Sequence, residues 1–223
     1  MRRLITLLAV CAAMAAGAMV GVGAEAPVAA PQEITLPAPV TKGTMSLDEA
    51  IAKRRSVRSF QARALTEQQI GQLLWAAQGI TDAATGHRAA PSAMARYPLT
   101  ICVFRTDGIF TYQPQGHKLV RISERDRRAE VTQAPRGGEA APVTFVFTGD
   151  RTKMGSRMAE AADRFIYLEV GHAAEVLALE AAALGLATVT QGGINQAATA
   201  EVLGLPASVL VVYAMPVGYP AAQ

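Results

Sequence analysis

Apolar and polar positions follow helical and strand periods in separate segments of this chain. Capping boxes at Ser46–Glu49 and Thr66–Gln69 predict two helix starts, because a side-chain oxygen there accepts a hydrogen bond from the first turn. The first predicts a short helix to about Arg54, and the second an amphipathic helix that ends at Gly79. A longer segment, 156–184, is apolar on most faces, which predicts burial within the domain or in a subunit interface.

Short apolar runs bounded by turn residues predict the strands. Two of them, 108–112 and 118–122, form a hairpin pair around an intervening turn. This hairpin interrupts the alternation of strands and helices, so the pattern predicts the α+β class, a sheet with helices packed on it. The predicted strands are 99–105, 108–112, 118–122, 142–148, 187–190 and 209–214, with a further short helix over 196–203.

The first residues have the layout of a secretory signal peptide. A basic tip, Arg2 and Arg3, precedes an apolar stretch of mostly small residues that ends in an Ala-x-Ala site at 24–26. We expect a signal peptide over 1–26 and an exported protein, periplasmic or secreted, without stable membrane insertion after cleavage. Retention as a membrane or lipid anchor is the less favoured alternative. Residues 27–45 contain four prolines, which predicts a linker before a domain over 46–220.

Charge and cysteine content narrow the class of protein. The formal net charge is +3, too weak for a general nucleic-acid binder, although basic residues cluster near the start of the domain. Cleavage of the signal peptide would remove Cys11 and leave Cys102 without a disulfide partner in the chain. Because Cys102 lies in an apolar strand, we predict a buried core residue rather than a nucleophile.

The basic cluster, Lys53 to Arg58, is a candidate anion site. In an extended chain Ser56 and Arg58 point the same way, and in a helix Arg54 and Arg58 lie one turn apart, so either conformation can present guanidinium groups and a hydroxyl to one phosphate. The alternative is a solvated basic face at a helix end, where positive charge complements the helix dipole.

Two loops are candidates for contact with a flat ligand. Small residues in Pro91-Ser92-Ala93 allow close approach to the backbone, and Gly192-Gly193, after Gln191, exposes backbone N–H groups. A flexible surface loop and an ordinary turn are the respective alternatives. The chain has no dinucleotide fingerprint, P-loop or nucleophile elbow. The three histidines lack metal-ligand spacing, and His172 is predicted to be a core residue.

Together these segments resemble the nitroreductase superfamily, and several resemble its SagB-type dehydrogenase domains. The resemblance rests on the order of five motifs and covers about 46–220. They are Arg54-Arg55-Ser56-Val57-Arg58-Ser59-Phe60, Leu73 to Gly79, Arg88 to Ala93, Gly108 to Tyr112 with His117 and Leu119, and Leu168-Glu169-Val170-Gly171-His172.

The resemblance implies a nitroreductase-like fold: a central, mostly antiparallel sheet, with a long buried helix at a homodimer interface where FMN binds. It assigns the FMN phosphate to Arg54, Ser56 and Arg58, with Arg55 helping. It places Pro91, Ser92, Ala93, Gln191, Gly192 and Gly193 at the flavin ring, and it identifies no catalytic residue and no metal. The expected reaction is oxidation or reduction of a small organic substrate in two half-reactions through the flavin.

Three departures from the family pattern bear on this reading. No basic residue follows Arg164, so phosphate binding depends on the 54–58 cluster. SagB-type loops have glycine where this chain has Met94 and Ala95, and often leucine where it has Arg96. The resemblance places these positions at the border of the substrate side, so Arg96 and Tyr97 are candidate substrate contacts, with ordinary loop residues as the alternative. The usual donors, NADH and NADPH, are cytoplasmic, so the donor of an exported enzyme stays open.

Two other functions are compatible with the same residues. A non-catalytic FMN carrier or sensor would also need the arginine cluster. A scaffold that keeps only the dimer would not need a phosphate site, so the cluster disfavours it.

Overall fold

The structure is a computed structural model that describes residues 32–131 and 141–221. A seven-stranded antiparallel sheet forms its centre, and helices pack on both faces. The described elements, in chain order, are β1 (Glu33–Thr35), α1 (Leu47–Lys53), α2 (Glu67–Gln78), β2 (Ile80–Asp82), β3 (His87–Arg88), β4 (Leu99–Arg105), β5 (Gly108–Gln113), β6 (Lys118–Ser123), α3 (Arg128–Val131), β7 (Val143–Asp150), α4 (Ala162–Ala183), β8 (Ala187–Thr188), α5 (Gln196–Val202) and β9 (Val209–Gly218).

The strand order of the main sheet is β1-β6-β5-β4-β7-β9-β8, and every neighbouring pair is antiparallel. The hairpin predicted from sequence is β5 and β6, which pair directly. Strands β2 and β3 form a separate two-stranded sheet between α2 and β4. The α+β class and the mostly antiparallel sheet are therefore confirmed.

Alternate residues of the central strands face two apolar clusters, one on each side of the sheet. On β4, Ile101 and Val103 face the larger cluster with α2 and α4, while Cys102 and Phe104 face a smaller one near α3 and α5. This is the period of two that a strand buried on both faces requires. Cys102 is 2% exposed, and burial raises the pKa of its thiol to about 12, so the prediction of an inert core cysteine is confirmed.

The helix starts agree with the capping boxes. The side chains of Ser46 and Thr66 accept hydrogen bonds from the N–H groups of Glu49 and Gln69, and both boxes are reciprocal. The long helix begins later than predicted. Gly155 has a φ of 73°, and residues 156–161 form 3-10 turns, so α-helical hydrogen bonding begins only with α4.

Helix α4 buries one face against the sheet and exposes the other. The stripe that includes Ile166, Val170 and Leu177 is buried, whereas Tyr167 and Leu168 remain about half exposed. His172 lies on the exposed face, so its prediction as a core residue is wrong. The sequence did not indicate an exposed face on this helix, because apolar residues such as Tyr167 and Leu168 lie on that face and interrupt the amphipathic pattern.

The folded domain begins earlier than the sequence suggested. Within the predicted linker, β1 pairs with β6, and the backbone of Val40 makes two hydrogen bonds with the side-chain amide of Gln72 (2.8 and 3.0 Å). The prediction that folded structure begins at Ser46 is therefore corrected. Short, proline-flanked edge strands carry little sequence signal. The predicted signal peptide and residues 27–31 lie outside the described residues. Within the described ranges, no helix is both long and apolar enough to cross a membrane.

Candidate cofactor site

The basic cluster leaves helix α1 and joins the sheet in an extended conformation. Arg54 is the C-cap residue of α1, with φ −55° and ψ 125°. Two residues later Ser56 forms a parallel bridge with Thr188 of β8, and the N–H of Val57 donates to the Thr188 carbonyl at 2.9 Å. Ser56 and Arg58 are exposed. The extended form of the predicted anion site is therefore the one adopted, with alternate side chains on a common side.

The three arginines of this cluster have different surroundings. The Nε of Arg54 lies 3.4 Å from Oε1 of Glu175, an ion pair that solvent screens because the two side chains are 35% and 60% exposed. Arg55 turns back onto α1, where its Nη1 donates to the carbonyls of Ala52 and Arg54. Arg54 and Arg58 can therefore receive an anion, whereas Arg55 mainly satisfies the end of its own helix.

The Gly-Gly turn follows β8, the strand with which Ser56 of the basic cluster forms its bridge. Gln191 pairs with Ala214 of β9 through two backbone hydrogen bonds of 2.8 and 3.1 Å. Its side-chain Oε1 is buried and has no hydrogen-bond partner in the described structure. Gly192 and Gly193 are exposed, and a Cβ added to Gly192 would meet nothing within 4 Å. The Ser56–Thr188 bridge thus places the basic cluster within a few residues of an open turn and an unsatisfied amide oxygen.

The third predicted segment, Pro91 to Ala93, leads into a turn of unusual backbone geometry. Met94, Ala95 and Tyr97 have φ values of 53°, 52° and 46°, in the left-handed region that residues with a Cβ rarely adopt. Each such residue costs on the order of 1–3 kcal/mol. Within the turn, the N–H of Tyr97 donates to Oγ of Ser92 at 2.8 Å. Arg96 is exposed, and its guanidinium lies beside Gly155.

A buried polar cluster that we did not predict lies under this turn. Gln78 and Glu169 are 2% and 3% exposed, and Nη1 of Arg88 donates to Oε1 of Gln78 at 3.0 Å. Burial raises the pKa of the Glu169 carboxyl, while interactions with Ser92, Arg88 and Gln78 oppose the rise. Burial also lowers the pKa of Arg88, and interactions with Tyr97 and Glu169 oppose that change. The one sequence signal for this cluster was Glu169, an acidic residue at the same helical spacing as the buried apolar residues of α4.

The predicted residues form two groups on one chain. One group adjoins β8 and consists of Arg54 to Arg58 and the Gln191–Gly193 turn that follows the strand. The other group, Pro91 to Tyr97, lies over Glu169. Within the described residues, no hydrogen bond joins Pro91–Ala93 to the 54–58 cluster. Both groups touch α4, at Glu175 and Glu169 respectively. Glu169 and Glu175 are six positions apart on the helix. Their side chains therefore leave it about 9 Å apart along its axis and about 120° apart around it. One chain therefore presents the two groups in different directions.

Comparison with known proteins decides the family. Residues 51–219 match the model of the Nitroreductase family, well over half of the chain. The chain belongs to the nitroreductase family. It is therefore an oxidoreductase of the FMN-dependent class, and the resemblance in its sequence motifs is confirmed.

Individual relatives support this assignment. A Methanocaldococcus jannaschii protein named as a nitroreductase is 32% identical over 183 residues, which cover 78% of this chain and 91% of that protein. A Ralstonia eutropha crystal structure named as a nitroreductase has a TM-score of 0.80 at 29% identity, covering 86% of this chain and 90% of the other. A Desulfovibrio desulfuricans nitroreductase structure in complex with FMN has a TM-score of 0.55 at 27% identity, covering 79% and 87%.

Substitution Glu169→Gln should stabilise the protein relative to wild type at alkaline pH. The folded-state pKa of Glu169 is raised, so the neutral acid favours folding in acid, and this contribution is lost as pH rises through the folded pKa. Glutamine has the shape of the neutral acid and cannot ionise. We expect the free energy of urea unfolding of the variant to exceed that of wild type by an amount that grows as pH rises above the ordinary carboxyl pKa and levels off once Glu169 is ionised in the folded protein.

The exposed carboxylate of Glu160 supplies the matched control, since Glu160→Gln removes the same charge from the surface. A stability difference between Glu169→Gln and wild type that stays constant with pH would show that this carboxyl is equally easy to ionise in the folded and unfolded chains.

Proposed function

We propose that this protein binds FMN and uses it to oxidise or reduce a small organic substrate, in the manner of SagB-type dehydrogenases. The observation that carries the proposal is the Ser56–Thr188 bridge, which joins the Arg54–Arg58 cluster to the strand that leads into the open Gly192 turn. When bound, FMN supplies two-electron redox chemistry, while the chain supplies binding, orientation and electrostatics. NADH or NADPH is the electron donor proposed for the purified protein.

The residues present fit the phosphate end of this cofactor. Arginine matches a phosphate because its planar guanidinium donates two parallel hydrogen bonds, and the Ser56 hydroxyl can donate a third. The screened ion pair between Arg54 and Glu175 leaves Arg54 able to exchange a carboxylate for a phosphate at little cost. Arg58 is exposed and makes no ion pair within the described residues. These groups together replace the C-terminal basic residues that this chain lacks.

The residues near the Gly-Gly turn fit the ring end. The buried Oε1 of Gln191 lacks a donor, and an unsatisfied buried acceptor costs free energy that a ligand N–H can recover. Open space beside Gly192 allows a flat ring to approach the backbone. We propose that Gln191, Gly192 and Gly193 hold the ring edge in this way.

We further propose that the active form is a homodimer. Apolar side chains are exposed on two helices that contact each other, and exposed apolar side chains of this size are often buried by a partner. They are Leu47 (66%) and Ile51 (55%) on α1, and Tyr167 (50%) and Leu168 (53%) on α4. A second copy would also complete the site. Its Pro91–Ala93 segment could lie against a flavin whose phosphate is held by Arg54 and Arg58 of the first copy.

Location outside the cytoplasm is also part of the proposal. The support is the basic tip at Arg2 and Arg3, the following apolar run and the Ala-x-Ala site. An exported enzyme of this class would depend on an electron donor other than the cytoplasmic nicotinamides, so its physiological donor and its substrate would both be found outside the cytoplasm.

The double substitution Arg54→Ala with Arg58→Ala should weaken FMN binding on the order of 100-fold or more, because charge-assisted hydrogen bonds to phosphate are lost. Fluorescence titration of the apoprotein measures the dissociation constant. Arg125→Ala is the matched control, since Arg125 is exposed and its side chain has no partner among the described residues. Unchanged affinity in the double variant would remove the phosphate assignment.

The same preparation separates an enzyme from a carrier or sensor. Bleaching of the flavin absorbance by NADH or NADPH, followed by recovery with an electron acceptor, is expected of the enzyme. A flavin that stays oxidised with nicotinamide, artificial and quinone donors would favour the non-catalytic carrier. Failure of the wild-type protein to bind FMN would overturn both.

Substitution Leu168→Glu should dissociate the dimer, because it places a charge in a surface that association would desolvate. Light scattering after size-exclusion chromatography measures the mass. Ile122→Glu is the matched control, since Ile122 is 46% exposed on β6, away from α1 and α4. A wild-type protein that is monomeric at all concentrations, or a Leu168→Glu variant that stays dimeric, would contradict this interface.

Expression in a bacterium with a general secretion pathway should give a periplasmic product that begins at Pro27. Intact-mass spectrometry of the fractionated protein tests this. Small residues are required near the cleavage site, so Ala24→Leu with Ala26→Leu should leave the chain uncut. A full-length, cytoplasmic wild-type product would contradict export.

A further inference from the structure

The turn between Ser92 and Tyr97 holds a conformation that its own residues disfavour. Met94, Ala95 and Tyr97 are left-handed, and none is glycine. A Cβ in this region lies too close to the following carbonyl oxygen, so such residues persist only where surrounding contacts over-determine them. Met94 is 61% exposed and Arg96 is exposed, so packing of these two side chains does not supply those contacts.

Tyr97 is the residue through which the turn is held. Its N–H donates to Oγ of Ser92 at 2.8 Å, and its hydroxyl accepts from the backbone N–H of Arg88 at 3.3 Å. The guanidinium carbon of Arg88 also lies 4.4 Å from the centroid of the Tyr97 ring, within range of a cation–π interaction. Arg88 therefore contacts the Tyr97 side chain twice, with its backbone N–H at the hydroxyl and with its guanidinium at the face of the ring.

The Arg88 guanidinium interacts with two buried side chains on different helices. Its Nη1 donates to Oε1 of Gln78 at the end of α2, and the carboxyl of Glu169 on α4 interacts with it electrostatically. Both partners are at least 97% buried, and Nε2 of Gln78 and Oε1 of Glu169 have no hydrogen-bond partner in the described structure. A buried hydrogen bond of this kind orients a guanidinium strongly, because its loss would leave Oε1 of Gln78 unsatisfied as well.

We propose that Arg88 is a positioning residue, which links the buried Gln78–Glu169 pair to Tyr97 and thereby holds the Ser92–Tyr97 turn in its left-handed conformation. The turn overlaps the Pro91–Ala93 segment, and it exposes the side chains of Met94 and Arg96 to solvent. Arg88 thus acts on cofactor and substrate through the turn without touching either. This consequence rests on the proposed function, whereas the effect of Arg88 on the turn does not.

Hydrogen exchange on the apoprotein tests the effect on the turn directly. The amides of Ala95, Arg96 and Tyr97 donate to Ser92 O (3.0 Å), Ala93 O (3.2 Å) and Ser92 Oγ (2.8 Å), so they report on this conformation. Arg88→Ala should speed their exchange about tenfold or more, as local opening becomes easier. Adding Ala95→Gly should restore much of the protection, because glycine adopts a positive φ without the Cβ penalty.

The matched control removes a similar arginine–tyrosine stack elsewhere. The guanidinium carbon of Arg63 lies 3.9 Å from the Tyr219 ring centroid, and Arg63→Ala should leave the exchange of the three amides unchanged. If Arg88→Ala does not fold, Tyr97→Leu tests the same link, since it removes the ring and the hydroxyl but keeps an apolar side chain. Wild-type exchange rates in whichever variant folds would overturn the proposal.

FMN titration of the same variants tests the consequence for the cofactor. Arg88→Ala should lower FMN affinity about tenfold, and Ala95→Gly should recover most of it, which a purely structural defect in the α2–α4 packing would not allow. Faster exchange without glycine rescue would overturn the positioning role. If wild type binds no FMN, the proposed function fails, and the exchange measurements still decide whether Arg88 holds the turn.

Discussion

The close packing of α4 against the sheet is the constraint on which the candidate site depends. Gly149 of β7 faces Ile166, and any side chain at position 149 would collide with that isoleucine. The close approach places Glu169 under the Ser92–Tyr97 turn and leaves Glu175 at the surface beside Arg54. A helix held further from the sheet would change the depth of both carboxyls, and depth decides how each behaves.

The contrast between these two carboxyls shows how one helix serves two purposes. Glu175 is solvated and forms a screened ion pair that a competing anion can replace. Glu169 is almost fully buried, and its polar partners offset only part of the cost of ionisation. The first contact suits a group that must exchange partners. The second suits a group that must stay in place and hold its neighbours, since breaking a buried polar cluster is costly.

Much of this architecture could be predicted from the sequence because its signals are local. The boxes at Ser46 and Thr66 determine helix starts within one turn, and the apolar run over 99–104 indicates a strand, which the structure buries on both faces. The Arg54–Arg58 cluster could likewise be recognised from residue type and alternation. Strand β1 could not, because a three-residue edge strand depends on its partner rather than on its own composition. The Gln78–Arg88–Glu169 cluster was missed because its members meet only in the folded chain.

The Ser92–Tyr97 turn shows why a local rule can fail where function is concerned. Left-handed positions normally select glycine, and the family pattern has glycine where this chain has Met94 and Ala95, both of which are left-handed. Side chains at these positions therefore carry a backbone cost that the fold must offset elsewhere. What the chain gains is a turn that exposes a methionine and an arginine, where glycine and leucine would present neither sulfur nor charge. Departures of this kind concentrate at functional sites, because packing alone gives no reason to keep them.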